Sequence, residues 1–487
     1  MDRSNTMAPA AAAAVCTSPD GEGQENARSS ILLDVRAYSA AHRDSSAACS
    51  RTSTGHAIEV TLFAAPPPAL SHLSVHCPGL HLPPDDLSFA PKAIAAADDL
   101  LLLRVPVDPH GKYFHRHNDY FVYVAHPEHP KLHLLPNPSP ACFGDDELAV
   151  LRRGDDAQYV VAALTIRPFT EHTFTLHLCS SMPGGEPGSW TSQLVTVEEP
   201  LRDTVCPVPD TAQRLMYHLT TKVIAIGGNK GTVGWVDLWR GILLCDVLEE
   251  APKLRDMPLP LPAKGNWRRI HNGCPYYRRD IAVGKHKDSI RYVEMEVVQP
   301  RVVSKAIPRP EPGSYLEWLR RRECAPQLTH SFVHGSCKLT TWSMPIPVAS
   351  WDDWSHECTA ELGDIDLDNP GHYGLLQKLA SSGDNQEAKA ADLSLGCLRM
   401  VYPALSVDDD DVVFLLSKAV GRGKMGVMIA VDVRRKELQG VAELDGNKIT
   451  SFKRCYIASG IPEHYNTGGT RESLKQAAEH MPKPRST

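Results

Sequence analysis

Two cysteines and two histidines form the most metal-like group of residues in the chain: Cys324, His330, His334 and Cys337. Zinc binds such side chains only where all ligands converge to bonds of about 2.0–2.3 Å. Residues 329–333 favour a strand, in which a rise of about 3.3 Å per residue would separate His330 from His334 by about 13 Å. We therefore predict no metal site here.

Other patterns that resemble ligand sites also receive a structural interpretation. Residues 421–426 read G-x-G-x-x-G, which binds a dinucleotide only between a strand and a helix. Strand-like runs lie on both sides, so a hairpin loop is predicted and no cofactor is expected. The acidic run at residues 408–411 lacks the glycine and glutamate of a calcium loop and predicts a solvated loop. A looser group is interpreted as surface histidines: His115, His117, His126 and His129.

Asp237 and Asp280 are each a possible carboxylate for acid–base catalysis. Each lies at a predicted strand end beside a turn, where aspartate commonly accepts hydrogen bonds from backbone amides. Nothing in the sequence brings the two together, so a structural role is favoured and no catalytic residue is assigned. Residues 351–354 read Trp-Asp-Asp-Trp, which suits a stacking platform for a sugar or base, or an aromatic anchor at a sheet edge. The anchor is favoured.

The composition narrows the class of protein. The 487 residues include 33 Gly and 39 Pro, which favours short elements joined by turns. The net charge of −7 gives no general attraction to nucleic acid or an anionic membrane, and no run reaches the roughly 18 apolar residues of a membrane span. The 13 cysteines include no C-x-x-C pair, which predicts reduced thiols in the cytoplasm or nucleus. An Ala- and Ser-rich start over residues 1–19 leaves the chloroplast as a less favoured alternative.

Short apolar runs separated by turn residues fill most of the chain, and such runs predict an all-β fold. We predict one β-propeller-like domain over residues 29–465. It is preceded by a disordered N-terminal segment, residues 1–28, and followed by a mobile C-terminal tail, residues 466–487. Residues 313–322 and 373–379 are interpreted as short helices or loops.

The most informative segment is residues 232–248, where two apolar runs flank a turn that ends in Gly241. We expect Gly241 to adopt the left-handed conformation that closes a three-residue hairpin with a bulge. The strand after Gly241 is apolar at successive positions from Ile242 to Cys245, which is typical of a strand buried on both faces. Similar hairpins are predicted at residues 279–298 and 425–443. Blades stacked around a propeller axis bury both faces, and about 40–50 residues per blade allows six to eight blades.

Several segments resemble one known family: residues 120–123, 233–248, 279–283, 290–294, 403–406, 409–416 and 429–432. That family is the plant domain of unknown function 1618, which is expanded in grasses. The resemblance covers most of residues 57–465, and residues 198–300 carry its most specific hairpins. It implies a plant origin and a propeller-like fold similar to F-box-associated β domains, with no known activity, cofactor or ligand. The family motif is carried by Trp235, Asp237, Gly241, Asp246, Arg279 and Asp280.

The function predicted from these observations is a non-catalytic scaffold that binds a protein partner whose identity the sequence does not give. Loops on a rigid scaffold commonly carry recognition, and aromatic residues dominate interface hot spots. One alternative is an enzyme acting on a small molecule or glycan in the propeller channel. Another is a substrate adaptor for ubiquitin ligation without an F-box of its own. The candidate partner-binding residues are Trp190, Trp342, Trp351 and Trp354.

Overall fold

A computed structural model of the chain describes residues 30–461, with gaps at residues 39–42, 81–89, 108–117, 155–157, 168–169, 171, 209–215, 271–272, 299–300, 307–310, 324–327, 334, 368, 382–393, 419–424 and 446–455. The described part is mostly β with few helices, as the sequence predicts. Within it, no helix is both long and apolar enough to cross a membrane. The predicted disordered segment and the predicted C-terminal tail lie outside the described residues.

The first strands of the chain form one large sheet made of two halves. The first half, sheet I, contains β1 (Ile31–Tyr38), β2 (Ala48–Arg51), β3 (Ala57–Phe63), β4 (Leu70–His76) and β27 (Tyr456–Ser459). The second half, sheet II, contains β5 (Lys92–Ala97), β6 (Leu100–Pro106), β7 (Asn118–Val124) and β8 (Lys131–Leu134). The two halves are joined where Arg36 of β1 pairs with Lys92 of β5, so we describe each half separately.

Four further sheets follow along the chain, each with four antiparallel strands in its described part. Sheet III contains β9 (Leu148–Arg152), β10 (Tyr159–Ile166), β11 (Thr173–Ser181) and β12 (Pro187–Thr196). Sheet IV contains β13 (Lys222–Gly227), β14 (Thr232–Asp237), β15 (Gly241–Asp246) and β16 (Leu254–Pro258). Sheet V contains β17 (Arg279–Val283), β18 (Ser289–Val298), β21 (Ser336–Pro345) and β22 (Ser355–Glu361). Sheet VI contains β23 (Met400–Leu405), β24 (Val412–Lys418), β25 (Met425–Asp432) and β26 (Glu437–Asp445).

Helices occupy the connections between strands. Helix α1 (Leu201–Val205) lies between sheets III and IV, and α3 (Pro370–Ser381) lies between sheets V and VI. An insertion between β18 and β21, which we call the arm, contains β19 (Arg301–Ala306), α2 (Tyr315–Glu323) and β20 (Leu328–Val333). The segments interpreted as helices or loops at residues 313–322 and 373–379 thus contain helices.

Apolar side chains fill the space between consecutive sheets. The described residues form six buried clusters, shared by sheets I and II, II and III, III and IV, IV and V, V and VI, and VI and I. In the last of these, Leu32 of β1 is buried with Phe414 and Met428 of sheet VI. The order of packing therefore returns to its starting sheet, and every sheet has an apolar neighbour on each side.

Strand β15 shows how the sequence produces this arrangement. Leu243 and Cys245 lie in the cluster shared with sheet III, whereas Ile242 and Leu244 lie in the cluster shared with sheet V. Side chains alternate between the two faces of a strand, so an uninterrupted apolar run is needed where both faces are buried. The prediction of two-sided burial for residues 242–248 is confirmed at these four positions, and the three predicted hairpins are all formed.

The expected left-handed conformation of Gly241 is wrong. Glycines with positive φ occur elsewhere in the described chain, at Gly227 and Gly231 for example, but Gly241 is not among them. A Cβ atom at Gly241 would instead lie 2.7 Å from the carbonyl oxygen of Met257 and 3.1 Å from the Cα of Pro258. The turn requires glycine because β16 approaches closely, a constraint on space and not on φ.

This close approach predicts the effect of adding a single methyl group. Gly241→Ala should lower the free energy of unfolding by about 1–3 kcal/mol, the usual cost of overpacking, because the atoms in the way belong to the backbone of β16. Gly374→Ala in α3 is the matched control, since nothing lies within 4 Å of the added Cβ; it should be neutral, or stabilising by up to about 1 kcal/mol. Urea unfolding compares the two, and equal midpoints would contradict the packing argument.

Candidate functional site

A cavity of about 170 Å³ lies between the first strands of several sheets. Its walls come from β5, β13, β17 and β27, and from the chain segment that follows β23. Most lining residues are small or apolar, and the charged ones are lysines and aspartates. A cavity of this kind is the first place to look for a ligand or an active site.

The charged groups at one end of the cavity form ion pairs. We call this end, where β13 and β17 finish, the lower end. Lys287 lies 2.7 Å from Asp98, which joins sheet V to sheet II across the cavity, and Lys285 lies 3.5 Å from Asp408 of sheet VI. Lys287 and Asp98 both have left-handed backbones, with φ of 54° and 53°, which is uncommon for residues other than glycine. These side chains close part of the lower end.

At the opposite end, the upper end, where β13 and β17 begin, Lys222 and Asp280 form a third ion pair. The Nζ of Lys222 donates to Oδ1 of Asp280 at 2.6 Å, and the N–H of Leu405 donates to Oδ2 at 3.1 Å. Both carboxylate oxygens of Asp280 are therefore occupied by groups of neighbouring sheets. An acid–base catalyst needs a carboxylate that can reach substrate and exchange a proton, and Asp280 is committed to holding sheets IV, V and VI together.

Asp237 is fully buried at the upper end and binds backbone amides. It accepts hydrogen bonds from the N–H of Trp239 in the turn and from the N–H of Leu219 before β13. These backbone partners are those expected of an aspartate at a turn. Of the other family-motif residues, Trp235 is buried and donates its indole N–H to the carbonyl of Glu147 in the next sheet, and Asp246 accepts from the hydroxyl of Thr232.

Arg279 is the central buried charge at the upper end. Its Nη2 lies 2.9 Å from Oε1 of Glu294, and its Nη1 donates to the carbonyls of Leu238 and Trp239. The guanidinium also lies over the rings of Trp239, at 5.2 Å, and Tyr292, at 5.9 Å. A buried charge is tolerated when it is paired with an opposite charge and hydrogen-bonded. Only Nε of the guanidinium is buried without a hydrogen-bond partner among the described residues. Arg279 therefore fastens sheet V to the turn of sheet IV.

A second buried arginine fastens helix α1 to sheet IV. Both side chains of the pair Arg202 and Asp256 are fully buried, and Nε of Arg202 donates to Oδ1 of Asp256 at 2.6 Å. The hydroxyl of Tyr217 donates to Oδ2 of the same carboxylate, and Nη1 of Arg202 lies 2.9 Å from Nδ1 of His218. Arg240 donates to the carbonyl of Tyr217 at 2.6 Å. Together these bonds hold α1 and the chain before β13 in one place.

The four tryptophans predicted to bind a partner are half-buried in the structure. Trp342, Trp351 and Trp354 pack against the cluster of sheets IV and V, and Trp190 packs against that of sheets II and III. The indole N–H of Trp354 donates to the carbonyl of Pro258, and that of Trp190 to the carbonyl of Pro136. Trp351 and Trp354 thus have the packing expected of an aromatic anchor. Partner binding by the four tryptophans stays a prediction.

Five of the exposed large apolar side chains at the upper end were not identified from the sequence. We call them the upper apolar surface: Leu261 (64% exposed), Trp267 (58%), Tyr315 (71%), Leu316 (65%) and Trp318 (42%). Leu261 follows β16, Trp267 lies in the 3₁₀ turn Lys264–Arg269 beside β18, and the other three lie on α2 of the arm. The arm continues from the upper end of β18 and β21, where Val298 pairs with Ser336. The signal in the sequence was an apolar group within an otherwise charged segment, residues 311–323.

The ligand-like sequence patterns lie in strands and loops where their residues are described. The described side chains include no group of three or more His, Cys, Asp or Glu placed to share a metal ion. Residues 328–333 form strand β20 as expected, while Cys324 and His334 lie outside the described residues, as do His115 and His117. The G-x-G-x-x-G pattern joins the antiparallel strands β24 and β25, with Lys418 opposite Gly426, so the helix of a dinucleotide site is absent there. Residues 408–411 precede β24 as a loop.

Taken together, the described chain is a mostly-β protein in which strands of several sheets line a cavity. Residues 235–414 match the model of DUF1618, a protein family of unknown function. The match starts at Trp235 in β14 and includes the Arg279 site and the arm, a narrower region than the residues 57–465 of the sequence resemblance. No curated protein matches the chain.

Two solved structures are similar to the chain at a low level. One is an ancestral GH74 enzyme, 11% identical with a TM-score of 0.26; the match covers 85% of this chain and 39% of that one, so this chain spans well under half of its length. The other is Penicillium chrysogenum alpha-L-arabinanase complexed with arabinobiose, 9% identical with a TM-score of 0.26, covering 86% of this chain and 99% of that one. Likenesses this weak carry no argument about function.

The buried Arg202–Asp256 pair predicts a large loss of stability on mutation. Arg202→Met should lower the free energy of unfolding by about 3–5 kcal/mol, because the Asp256 charge would remain buried without its partner. Lys253→Met is the control: it removes an exposed ion pair with Glu198 and should cost less than about 1 kcal/mol. Chemical denaturation measures both, and comparable losses for the two variants would refute the assigned role of Arg202.

Proposed function

We propose that the protein is a non-catalytic scaffold that binds a protein partner through the upper apolar surface, and that it belongs to the DUF1618 family of plants. We further propose that sheets I to VI are the blades of a six-bladed propeller. The six apolar clusters that link consecutive sheets, and the return from sheet VI to sheet I, support this interpretation. Such a ring presents one end of all its sheets as a broad face.

The observation that carries the proposed function is the exposure of the upper apolar surface. Exposed apolar patches on a folded protein mark sites of interaction, because leaving that area in water is unfavourable. Trp and Tyr are also the residue types that dominate interface energies. Glu294, the buried partner of Arg279, accepts hydrogen bonds from the N–H of Ala263 and from the side chain of Asn266, which holds the turn that carries Trp267.

The charges of the cavity support a non-catalytic role. Asp98, Asp280 and Asp408 each face a lysine, at 2.7, 2.6 and 3.5 Å respectively. These ion pairs join different sheets, so they contribute to the fold whether or not a substrate binds. The cysteines in the described part of the chain form no disulfide, which supports the proposal of a reducing compartment, cytoplasm or nucleus.

The proposal is tested by placing a photo-cross-linker in the surface. Full-length protein with p-benzoylphenylalanine in place of Trp267 or Trp318 should cross-link to one reproducible protein in extract of the expressing tissue. The same group in place of Leu194 is the matched control, since Leu194 is also 58% exposed but lies on β12 of sheet III, outside the upper apolar surface. Identical adducts at all three positions, or none, would count against the scaffold.

A second measurement then uses the purified partner. Trp318→Ala should weaken binding at least tenfold, because truncating an aromatic anchor at an interface typically costs more than about 1 kcal/mol. Leu194→Ala should leave the affinity unchanged. Isothermal titration calorimetry gives both values, and circular dichroism confirms that each variant is folded.

A further inference from the structure

Arg104 is the one buried arginine of the described chain whose side chain donates no hydrogen bond. That side chain is 8% exposed, and it forms an ion pair in which Nε lies 3.1 Å from Oδ1 of Asp145. Nε and Nη2 are buried with no hydrogen-bond partner. The other buried arginines of the described residues each donate to at least one carbonyl or side-chain oxygen: Arg202, Arg240, Arg278, Arg279 and Arg291.

The unbonded donors of Arg104 have an energetic cost. A buried donor without an acceptor is destabilising, and nearly all buried polar groups of native proteins are hydrogen-bonded. The structure gives Arg104 its ion pair with Asp145, but no hydrogen-bond acceptor for Nη1 or Nη2 among the described residues. An acceptor supplied by a bound molecule would therefore stabilise this side chain.

Lys92 and Tyr120 lie on either side of Arg104 in sheet II. In the strand register, Lys92 of β5 and Tyr120 of β7 are the direct partners of Arg104 of β6. Side chains directly opposite each other in antiparallel strands share one face of the sheet, with Cβ atoms about 4.5–5.5 Å apart. The Nζ of Lys92 lies 3.2 Å from Oδ2 of Asp145, so one carboxylate joins Lys92 and Arg104.

The hydroxyl of Tyr120 adds an uncharged donor to this cluster. It has no hydrogen-bond partner among the described residues, although the side chain is buried. Burial raises the pKa of the Tyr120 phenol, and the nearby Asp145 carboxylate raises it further, so the hydroxyl keeps its proton at neutral pH. Lys92, Arg104 and Tyr120 thus present an ammonium, a guanidinium and a hydroxyl from three adjacent strands.

The charges of the cluster favour an anion as the bound group. Two cations share the carboxylate of Asp145, and a third, Arg36 of β1, lies opposite Lys92 in the strand register. The nearby Glu147 already accepts a backbone N–H at 2.7 Å, and burial raises its pKa, which favours its uncharged form. The side chains of Lys92 and Asp145 are 30% and 28% exposed, so the cluster reaches solvent through them.

We propose that Lys92, Arg104 and Tyr120 bind a phosphate group, either as free phosphate or as part of a small molecule. Arginine forms paired hydrogen bonds with phosphate oxygens, and lysine adds a compact positive charge. Donors from three strands match the three terminal oxygens of a phosphate monoester, whereas a carboxylate offers only two. The site uses none of the residues of the upper apolar surface, so it does not depend on the proposed scaffold function.

Isothermal titration calorimetry of the full-length protein tests this site. Inorganic phosphate and phenyl phosphate are titrated at one ionic strength, with acetate as the carboxylate for comparison. We expect a phosphate group to bind about tenfold or more tightly than acetate, because it accepts more of the available hydrogen bonds. Tighter binding of phenyl phosphate would identify a phosphorylated small molecule as the source of the group, and tighter binding of inorganic phosphate would identify the free ion.

Three variants then assign the binding to named side chains. Arg104→Met keeps an unbranched side chain but removes the buried donors, and it should weaken phosphate binding about tenfold or more. Tyr120→Phe removes one hydroxyl and keeps the ring, so it should weaken binding about three- to tenfold. Lys253→Met is the matched control: it removes an exposed lysine next to β16 and should leave the phosphate affinity unchanged.

Two results would overturn the inference. Acetate that binds as tightly as both phosphate compounds would reject phosphate as the ligand. Equal phosphate affinities of the wild type, Arg104→Met and Tyr120→Phe would mean an adventitious ion only, and the site would be rejected. Circular dichroism checks that each variant is folded, and should Arg104→Met fail to fold, the comparison of Tyr120→Phe with Lys253→Met decides the question.

Discussion

Burial of apolar side chains on both faces of sheets I to VI is the constraint on which the rest of the structure depends. A sheet with two apolar faces cannot be covered by one partner, so each sheet needs a neighbour on either side. A row of such sheets leaves an apolar face exposed at each of its ends, and packing the last sheet against the first removes both. The cluster that joins Leu32 to Phe414 and Met428 is that final contact.

The polar groups of the upper end follow from this packing. Where the sheets converge, Arg202 and Arg279 are enclosed by neighbouring elements, and their charges are compatible with burial only because Asp256 and Glu294 lie beside them. The same bonds tie loops to strands. The upper end thus combines a fixed framework with exposed apolar side chains, a combination suited to recognition.

Much of the fold could be predicted from the sequence because it depends on local pattern. The apolar run from Ile242 to Cys245 indicated two-sided burial, and its four positions confirm it. The reason for glycine at position 241 could not be predicted in the same way. A left-handed φ and a close backbone neighbour both disfavour a Cβ atom, so both produce a glycine at that position. Only the position of β16 distinguishes them.

The site was harder to predict because it depends on contacts distant in sequence. Arg202 and Asp256 are 54 residues apart, and arginine in isolation is typical of a surface. The tryptophans at 342, 351 and 354 were chosen by residue type, yet they are half-buried, while Trp267 and Trp318 are exposed. The exposure of a side chain depends on which segments pack against it, and a local sequence pattern does not show this.

The pairing of β27 with β1 has a consequence for how the chain acquires its structure. Leu32 lies opposite Ala458, so sheet I gains one of its strands only after more than four hundred residues have been made. Until then, the N-terminal strand has an open edge and one bare apolar side, which invites association with other chains. Pairing β27 with β1 closes a loop of more than four hundred residues, which costs more chain entropy than pairing strands that are adjacent in the chain.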